Sequence, residues 1–347
     1  MVQSAPCHVK PTQLRQGDFV AVVSPSFGAA GLFPHRLELG FSQMKKLGFQ
    51  VKVMANARGT LGAVSGTPQQ RVDDLHTAFL DPQIKAVIAA IGGDHSNQLL
   101  PLLDFDLIRA NPKIFMGYSD ITVLNLAIHR KTGLVTFNGP AFITDFGEYP
   151  AMLEYTRVSF QRTLCSVDAP GQIHPAADWT EEFLDWGAKK DLERPRLFQP
   201  SPGWSWIKPG SAEGWLVGGC IESMDHLRGT PYWPDFEGAI LFLETSEDKP
   251  SPQRVNSLLM DYQNMGVFDQ INGLLVGRPM LYSDAEKQQL RDVILERARA
   301  YSFPIITDMD FGHTAPQMVL PIGCRARVDG SAKIFEIIES AVTPPLD

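Results

Sequence analysis

The strongest constraint on the fold is a series of short, unbroken apolar runs, too short for buried helices, separated by amphipathic stretches in the first half of the chain. FVAVVSP at 19–25, KAVIAAIGG at 85–93, KIFMGYS at 113–119 and LVTFNGP at 134–140 have this character. Continuous apolarity marks strands covered on both faces, as a parallel sheet requires. Between them, HRLELGFSQMKKLG at 35–48 puts Leu37, Phe41, Met44 and Leu47 on one helical face, and PQQRVDDLHTAFL at 68–80 opens with Pro68, suited to a first turn. With FQVKVM at 49–54 as a further strand and ITVLNLAIHRK as a helix, the order predicts an α/β fold whose N-terminal domain is a mainly parallel, doubly wound sheet of about five strands. The loops holding Gly92, Gly93 and Ser119 leave the carboxyl ends of strands, where such sheets gather ligands.

From 167 to 213 the pattern changes. Six prolines and four tryptophans (Trp179, Trp186, Trp204 and Trp206) stand among turns, with a short helical piece expected near WTEEFLDW. This reads as a linker and substrate-covering segment. Regular structure resumes with GWLVGG, GAILFLET at 238–245, the helix PQRVNSLLMDYQNMG, INGLLVG at 271–277, the helix around AEKQQLRDVILERARA, PIITDMDFGH, and the alternating CRARVDG and AKIFEI. The expected organisation is an N-terminal domain over 1–166, the covering segment over 167–213, and a C-terminal α/β domain over 214–347 with a mixed or partly closed sheet. A chain of 347 residues is long enough for two such units.

Composition narrows the function classes. Thirty-one basic against 39 acidic residues give a net charge of −8, and no basic stripe interleaved with aromatics is present, so a nucleic-acid polymer is not an expected partner. Cys7, Cys165, Cys220 and Cys324 lack paired CxxC spacing, which disfavours a zinc knuckle or a disulfide framework. The first residues show no apolar stretch of signal-peptide length, and no run reaches 18 apolar residues. A cytoplasmic protein without a membrane partner is expected. Neither a P-loop nor a complete G-x-G-x-x-G occurs, and no compact His and carboxylate ligand set is visible, so neither a cofactor nor a metal is expected.

The most informative local string is KIFMGYSDITVLNLAIH, where Ser119 sits between a strand and a helix and Gly117 eases a sharp turn. There Ser119 is a candidate nucleophile and the Asp120 amide a candidate oxyanion donor. The G-x-S-x-G pattern is not fulfilled, and Ser119 or Asp120 as a plain helix cap is the competing reading. Gly93, beside Gly92 at the end of the neighbouring strand, is the second candidate oxyanion donor, or else a simple turn glycine. His313, in a loop after an apolar strand, is the candidate base, with His95 as competitor and His129 read as structural. Glu244 ends a buried strand and could orient His313, or face solvent or cap the following helix. Asp120, Glu247 and Asp248 are read as bystander acids near these groups.

Taken together, IGGDHSNQLLP, NPKIFMGYSDIT, TFNGPA, WTEEFLDW, GTPYWP, GAILFLETSE and DFGHT extend over nearly the whole chain. They resemble the LD-carboxypeptidase family, peptidase family S66, and especially its microcin C immunity branch. The resemblance implies a metal-independent serine hydrolase with Ser119 as nucleophile, Glu244 and His313 completing the triad, oxyanion amides at Gly93 and Asp120, no cofactor, and a homodimer. It also implies hydrolysis of the amide in an aminoacyl- or peptidyl-nucleotide, with Trp186 stacking on the base; packing of the covering segment is the alternative role for that indole. An L,D-carboxypeptidase acting on muropeptides and a non-catalytic aminoacyl-nucleotide-binding immunity protein are the alternative functions. At GGCIESM the chain departs from the branch, which resembles GGNLN: Cys220 stands where an asparagine is expected, and a buried small-side-chain role fits this thiol better than that of a nucleophile.

Overall fold

A computed structural model of the chain describes residues 8–345, so Cys7 lies outside the described residues. The first sheet runs in the order Leu320–Ile322, Thr136–Asn138, Ile114–Gly117, Ile84–Ala89, Phe19–Val23, Gln50–Val53. The last five are parallel. Alternation along Phe19–Val23 explains its unbroken apolar sequence. Ala21 and Val23 join Val72, Leu75 and Phe79 of the helix Pro68–Leu80 on one face, and Val20 and Val22 join Leu37 and Met44 of the helix Pro34–Lys46 on the other. Phe41 lies at the margin of that second face, edge-on to Phe142 at 5.8 Å. The Pro68–Leu80 helix begins with a reciprocal cap, the Thr67 side chain accepting from the Gln70 amide while the Gln70 side chain accepts from the Thr67 amide.

The second sheet is mixed and open rather than closed, in the order Gly171–Ile173, Ile334–Ile337, Arg325–Asp329, Ser211–Cys220, Ile240–Glu244, Gly273–Gly277, Ile305–Met309, Ser205–Lys208. Its four central strands, Ser211–Cys220 to Ile305–Met309, are parallel and the flanking pairings antiparallel. The helices Pro252–Asn264 and Asp284–Arg297 start at the capping serines Ser251 and Ser283. No helix among the described residues is long and apolar enough to cross a membrane.

Strand pairing cuts across the divisions at 166 and 213. Leu320–Ile322 pairs antiparallel with Thr136–Asn138 and so completes the first sheet with chain from beyond residue 213. Gly171–Ile173 and Ser205–Lys208, both inside the segment read as a linker, are the two edge strands of the second sheet. The expected helical piece at WTEEFLDW does not form. Asp178–Trp179 instead pairs with Gln199–Pro200, and Thr180 exchanges two backbone hydrogen bonds with Ala315 at 2.7 and 2.9 Å. Trp179, 5 % exposed, lies against the Arg278 guanidinium, 4.7 Å from the ring centre, which anchors the stretch in an extended form.

Asp310 is the pin of this arrangement. It is fully buried; its Oδ2 accepts from the Trp204 indole N–H at 2.8 Å and the Ala176 amide at 2.9 Å, while its Oδ1 forms an ion pair with the Arg278 guanidinium at 2.9 Å. One carboxylate therefore ties the covering segment to the loop that carries His313. Asp310→Ala would leave Arg278 buried without its counter-ion, and a loss of about 3 to 5 kcal/mol is expected. A guanidinium chloride midpoint within error of the parent's would show that the pair is not needed.

Candidate active site

Ser119 lies one residue beyond the strand Ile114–Gly117, after Tyr118, and opens the turn into the helix Thr122–Thr132. Its φ is +61°, the left-handed region that a side chain with Cβ adopts only at a cost. Gly92 packs against it so closely that a Cβ there would lie 2.7 Å from Ser119 Cβ and 2.8 Å from Oγ. Gly93, at φ +136°, forms the next part of the same wall.

The Asp120 side chain joins these two loops. Its Oδ2 accepts from the amides of His95 at 3.0 Å and Ser96 at 2.9 Å, while Ser96 Oγ donates to the Asp120 carbonyl at 2.8 Å. Asp120, read as a bystander apart from its amide, thus clamps the Ser119 turn to the glycine loop. His95 enters this clamp through its backbone rather than its imidazole. His129 donates to the Leu134 carbonyl at 2.9 Å and stacks on His8 at 4.9 Å, and burial lowers its pKa to about 4.

Glu244 ends Ile240–Glu244 at 1 % exposure, and its Oε2 accepts from His313 Nδ1 at 2.7 Å. The approach depends on Gly312 (φ +99°), where a Cβ would meet Glu244 Cβ and Oε2 at 2.8 Å. The Tyr118 ring lies edge-on to His313 at 5.2 Å. Burial by itself would push the His313 pKa down, but Glu244 and Glu247 outweigh it and hold the imidazole well above the usual range. The Glu247 contact, 2.7 Å from Oε2 to Nε2, was missed because it depends on the path of the loop between Glu244 and the helix at Pro252. Its only sequence signal is spacing, three residues after Glu244 in ETSE.

Ser119, Gly92, Gly93, Trp186, Glu247 and His313 line one cavity of about 570 Å³. Trp186 forms part of its aromatic wall, with Arg36 4.5 Å over the ring and Phe33 and Phe183 each 5.5 Å away. The covering stretch is latched here by Asp191, which accepts from Arg36 at 3.1 Å and meets His35 at 3.2 Å. Cys220 is buried behind the site, its thiol 3.5 Å from Glu222 Oε2. Burial, reinforced by Glu244 and Glu222, drives its pKa well above the ordinary thiol value, which does not suit a nucleophile.

The arrangement places a serine on a strained strand-to-helix turn in the same cavity as a carboxylate-oriented histidine. Residues 20–139 match the LD-carboxypeptidase N-terminal domain and residues 213–328 the LD-carboxypeptidase C-terminal domain. The chain belongs to the LD-carboxypeptidase family. Among LD-carboxypeptidase relatives, the putative carboxypeptidase YocD of Bacillus subtilis is 34% identical over 93% of this chain and 98% of its own. The microcin C7 self-immunity protein MccF of Escherichia coli is 31% identical over 98% of each. Of solved structures, an MccF-like protein from Bacillus anthracis superposes with a TM-score of 0.88 at 34% identity, covering 95% of this chain and 99% of its own. MccF in complex with aspartyl sulfamoyl adenosine gives 0.89 at 31% identity, covering 96% and 100%.

The left-handed turn makes a separable prediction. Ser119→Gly should be more stable than Ser119→Ala by about 1 kcal/mol, the left-handed penalty less the extra freedom of glycine in the unfolded chain. It would appear as a higher urea midpoint at unchanged slope; equal midpoints would show that the turn stores no strain.

Proposed function

We propose that this LD-carboxypeptidase relative is a serine amidase that hydrolyses the amide of aminoacyl- or peptidyl-nucleotide conjugates, using Ser119, His313 and Glu244. The observation that carries the reading is the meeting, in one cavity, of Ser119 at positive φ with a His313 whose Nδ1 is held by a buried carboxylate. Neutral His313 takes the Ser119 proton through Nε2 as Oγ attacks the carbonyl carbon. Amides of Gly93 and Asp120 receive the developing oxyanion, worth about 3 to 4 kcal/mol for a well-placed donor. His313 passes the proton to the leaving nitrogen, and a water activated the same way releases the acyl group. Glu244 keeps the ring oriented and stabilises the imidazolium that forms at each stage.

No step in this sequence calls on a metal, so dialysis against EDTA should leave turnover unchanged. Ser119→Ala should keep the fold, lose the acyl-enzyme adduct in intact mass measurements, and lose most turnover. Undiminished turnover in that variant would reject the nucleophile assignment.

The substrate class is supported by relatives of this fold whose solved structures hold glutamyl sulfamoyl guanosine and aspartyl sulfamoyl adenosine, and by the aromatic wall at Trp186. A second reading, cleavage of muropeptides, is favoured by a probable murein peptide carboxypeptidase of Bacillus subtilis, 32% identical over 96% of this chain. The two separate by kcat/KM. We expect an aminoacyl sulfamoyl adenosine to exceed an L,D-muropeptide. Trp186→Ala should lower the nucleotide value severalfold to about a hundredfold, as loss of roughly 1 to 3 kcal/mol of stacking would. A preference for the muropeptide would reject the substrate class, and an unchanged nucleotide preference in Trp186→Ala would reject the stacking role.

A further inference from the structure

The nitrogen that has to receive the Ser119 proton already faces a carboxylate. His313 Nε2 lies 2.7 Å from Glu247 Oε2, off the ring N–H axis, so the contact is an ion pair rather than a directed hydrogen bond. The two acids on His313 differ in kind. Glu244 is buried, lies against Gly312 and belongs to a strand, whereas the Glu247 side chain is 60% exposed on a loop. A buried, aligned partner is a fixture; an exposed, off-axis one can be exchanged.

The other charges around the cavity are committed elsewhere. Arg36 pairs with Asp191 and Glu148, Arg196 with Glu148, and Glu182 with Arg194. Asp145 accepts from the Ala141 amide, the Thr144 hydroxyl and the Gln317 side chain. Among the described residues, the only cationic partner of Glu247 is His313. An additional positive group entering beside the scissile carbonyl would thus find one carboxylate able to turn toward it.

Resting on the amidase reading above, we infer that Glu247 is a substrate-responsive counter-ion: it holds His313 as imidazolium until an α-ammonium group next to the scissile carbonyl draws it away. Within the substrate class proposed above, the enzyme thereby favours aminoacyl conjugates, whose α-amine is free, over peptidyl conjugates, whose α-nitrogen is already acylated. The proton balance is simple. When Glu247 turns to the ammonium, the Nε2 proton leaves to solvent, Nδ1–H stays with Glu244, and the freed Nε2 lone pair accepts the Ser119 proton. An N-acylated substrate brings no cation, so His313 stays protonated and the attack is slow.

The groups facing His313 from its surroundings are Glu244 at the strand end, Glu247 on the following loop and Tyr118 from the nucleophile turn. Asp145 stands near Tyr118, and Glu222 lies behind Glu244, accepting from the Ser246 amide and hydroxyl. None of these except Glu247 is both exposed and in contact with Nε2. Removing its charge therefore isolates the effect, and its place on an exposed loop makes the fold indifferent to Glu247→Gln.

The test combines a titration with a substrate pair. The His313 imidazole is followed by NMR against pH in wild type and Glu247→Gln, and kcat/KM is measured for an aminoacyl sulfamoyl adenosine and its N-acetyl form. Glu247→Gln should lower the His313 midpoint and shift the acid limb of kcat/KM the same way. Wild type should favour the free amine by about tenfold or more, a factor well within what a close charge pair supplies, and Glu247→Gln should lose most of that preference. Calorimetric binding of the same two ligands to Ser119→Ala protein keeps the comparison readable without turnover. An unchanged His313 titration, or no amine preference in turnover or binding, overturns the inference. Absence of turnover with the amine preference intact in binding would instead sink the amidase reading and leave the role of Glu247 standing.

Discussion

The structure around the site is organised by one costly act, the burial of the Glu244 carboxylate at the end of a strand. A carboxylate withdrawn from water requires a partner within bonding distance, and the protein supplies His313 at 2.7 Å. That distance requires a glycine at 312, and it requires the 310–316 loop to be fixed at both ends. Asp310 fixes one end through Arg278, Trp204 and the Ala176 amide, and the backbone pair between Thr180 and Ala315 fixes the other. The covering segment is part of the device that holds the histidine. A strand-end side chain and a loop side chain can be placed to a fraction of an ångström only when their own supports are fixed in this way.

The serine is held by an independent set of bonds. Asp120 clamps the turn to the His95 and Ser96 amides, and Thr122 Oγ1 accepts from the Cys220 amide at 3.0 Å, joining the helix after Ser119 to the strand beside Glu244. The two halves of the site are thus locked to each other close behind Ser119 and Glu244. The cavity is left free to be shaped by aromatic side chains and by the exposed acid at 247.

Much of this was legible in the sequence where local chemistry decides local structure. The helix at 68–80 was readable from its apolar period and Pro68, and the turn at Ser119 from an apolar strand, a glycine and a helix in close order. The meeting of Glu244 with His313 was legible only as one of several options, because a strand-terminal glutamate is as well suited to capping the next helix. The edge strands at 171–173 and 205–208 left no comparable trace. They are short, lie among prolines, and are defined by partners more than 90 residues away. WTEEFLDW has helical composition but is held extended by Trp179 on Arg278 and by Thr180 on Ala315, two tertiary contacts that override a weak local preference. Glu247 was passed over because its importance lies in where a loop turns.

The pairing of Leu320–Ile322 with Thr136–Asn138 has a consequence for how the molecule comes into being. A ribosome delivers the first five strands long before the sixth, so the edge at Thr136–Asn138 stays unpaired while nearly two hundred further residues are made. That edge closes only when the chain just beyond His313 arrives. The last strand of the first sheet and the His313 imidazole are therefore delivered almost together. A nascent or truncated chain stopping before that point has Ser119 on its turn but neither His313 nor a finished sheet, so the site and the first sheet are completed in one step.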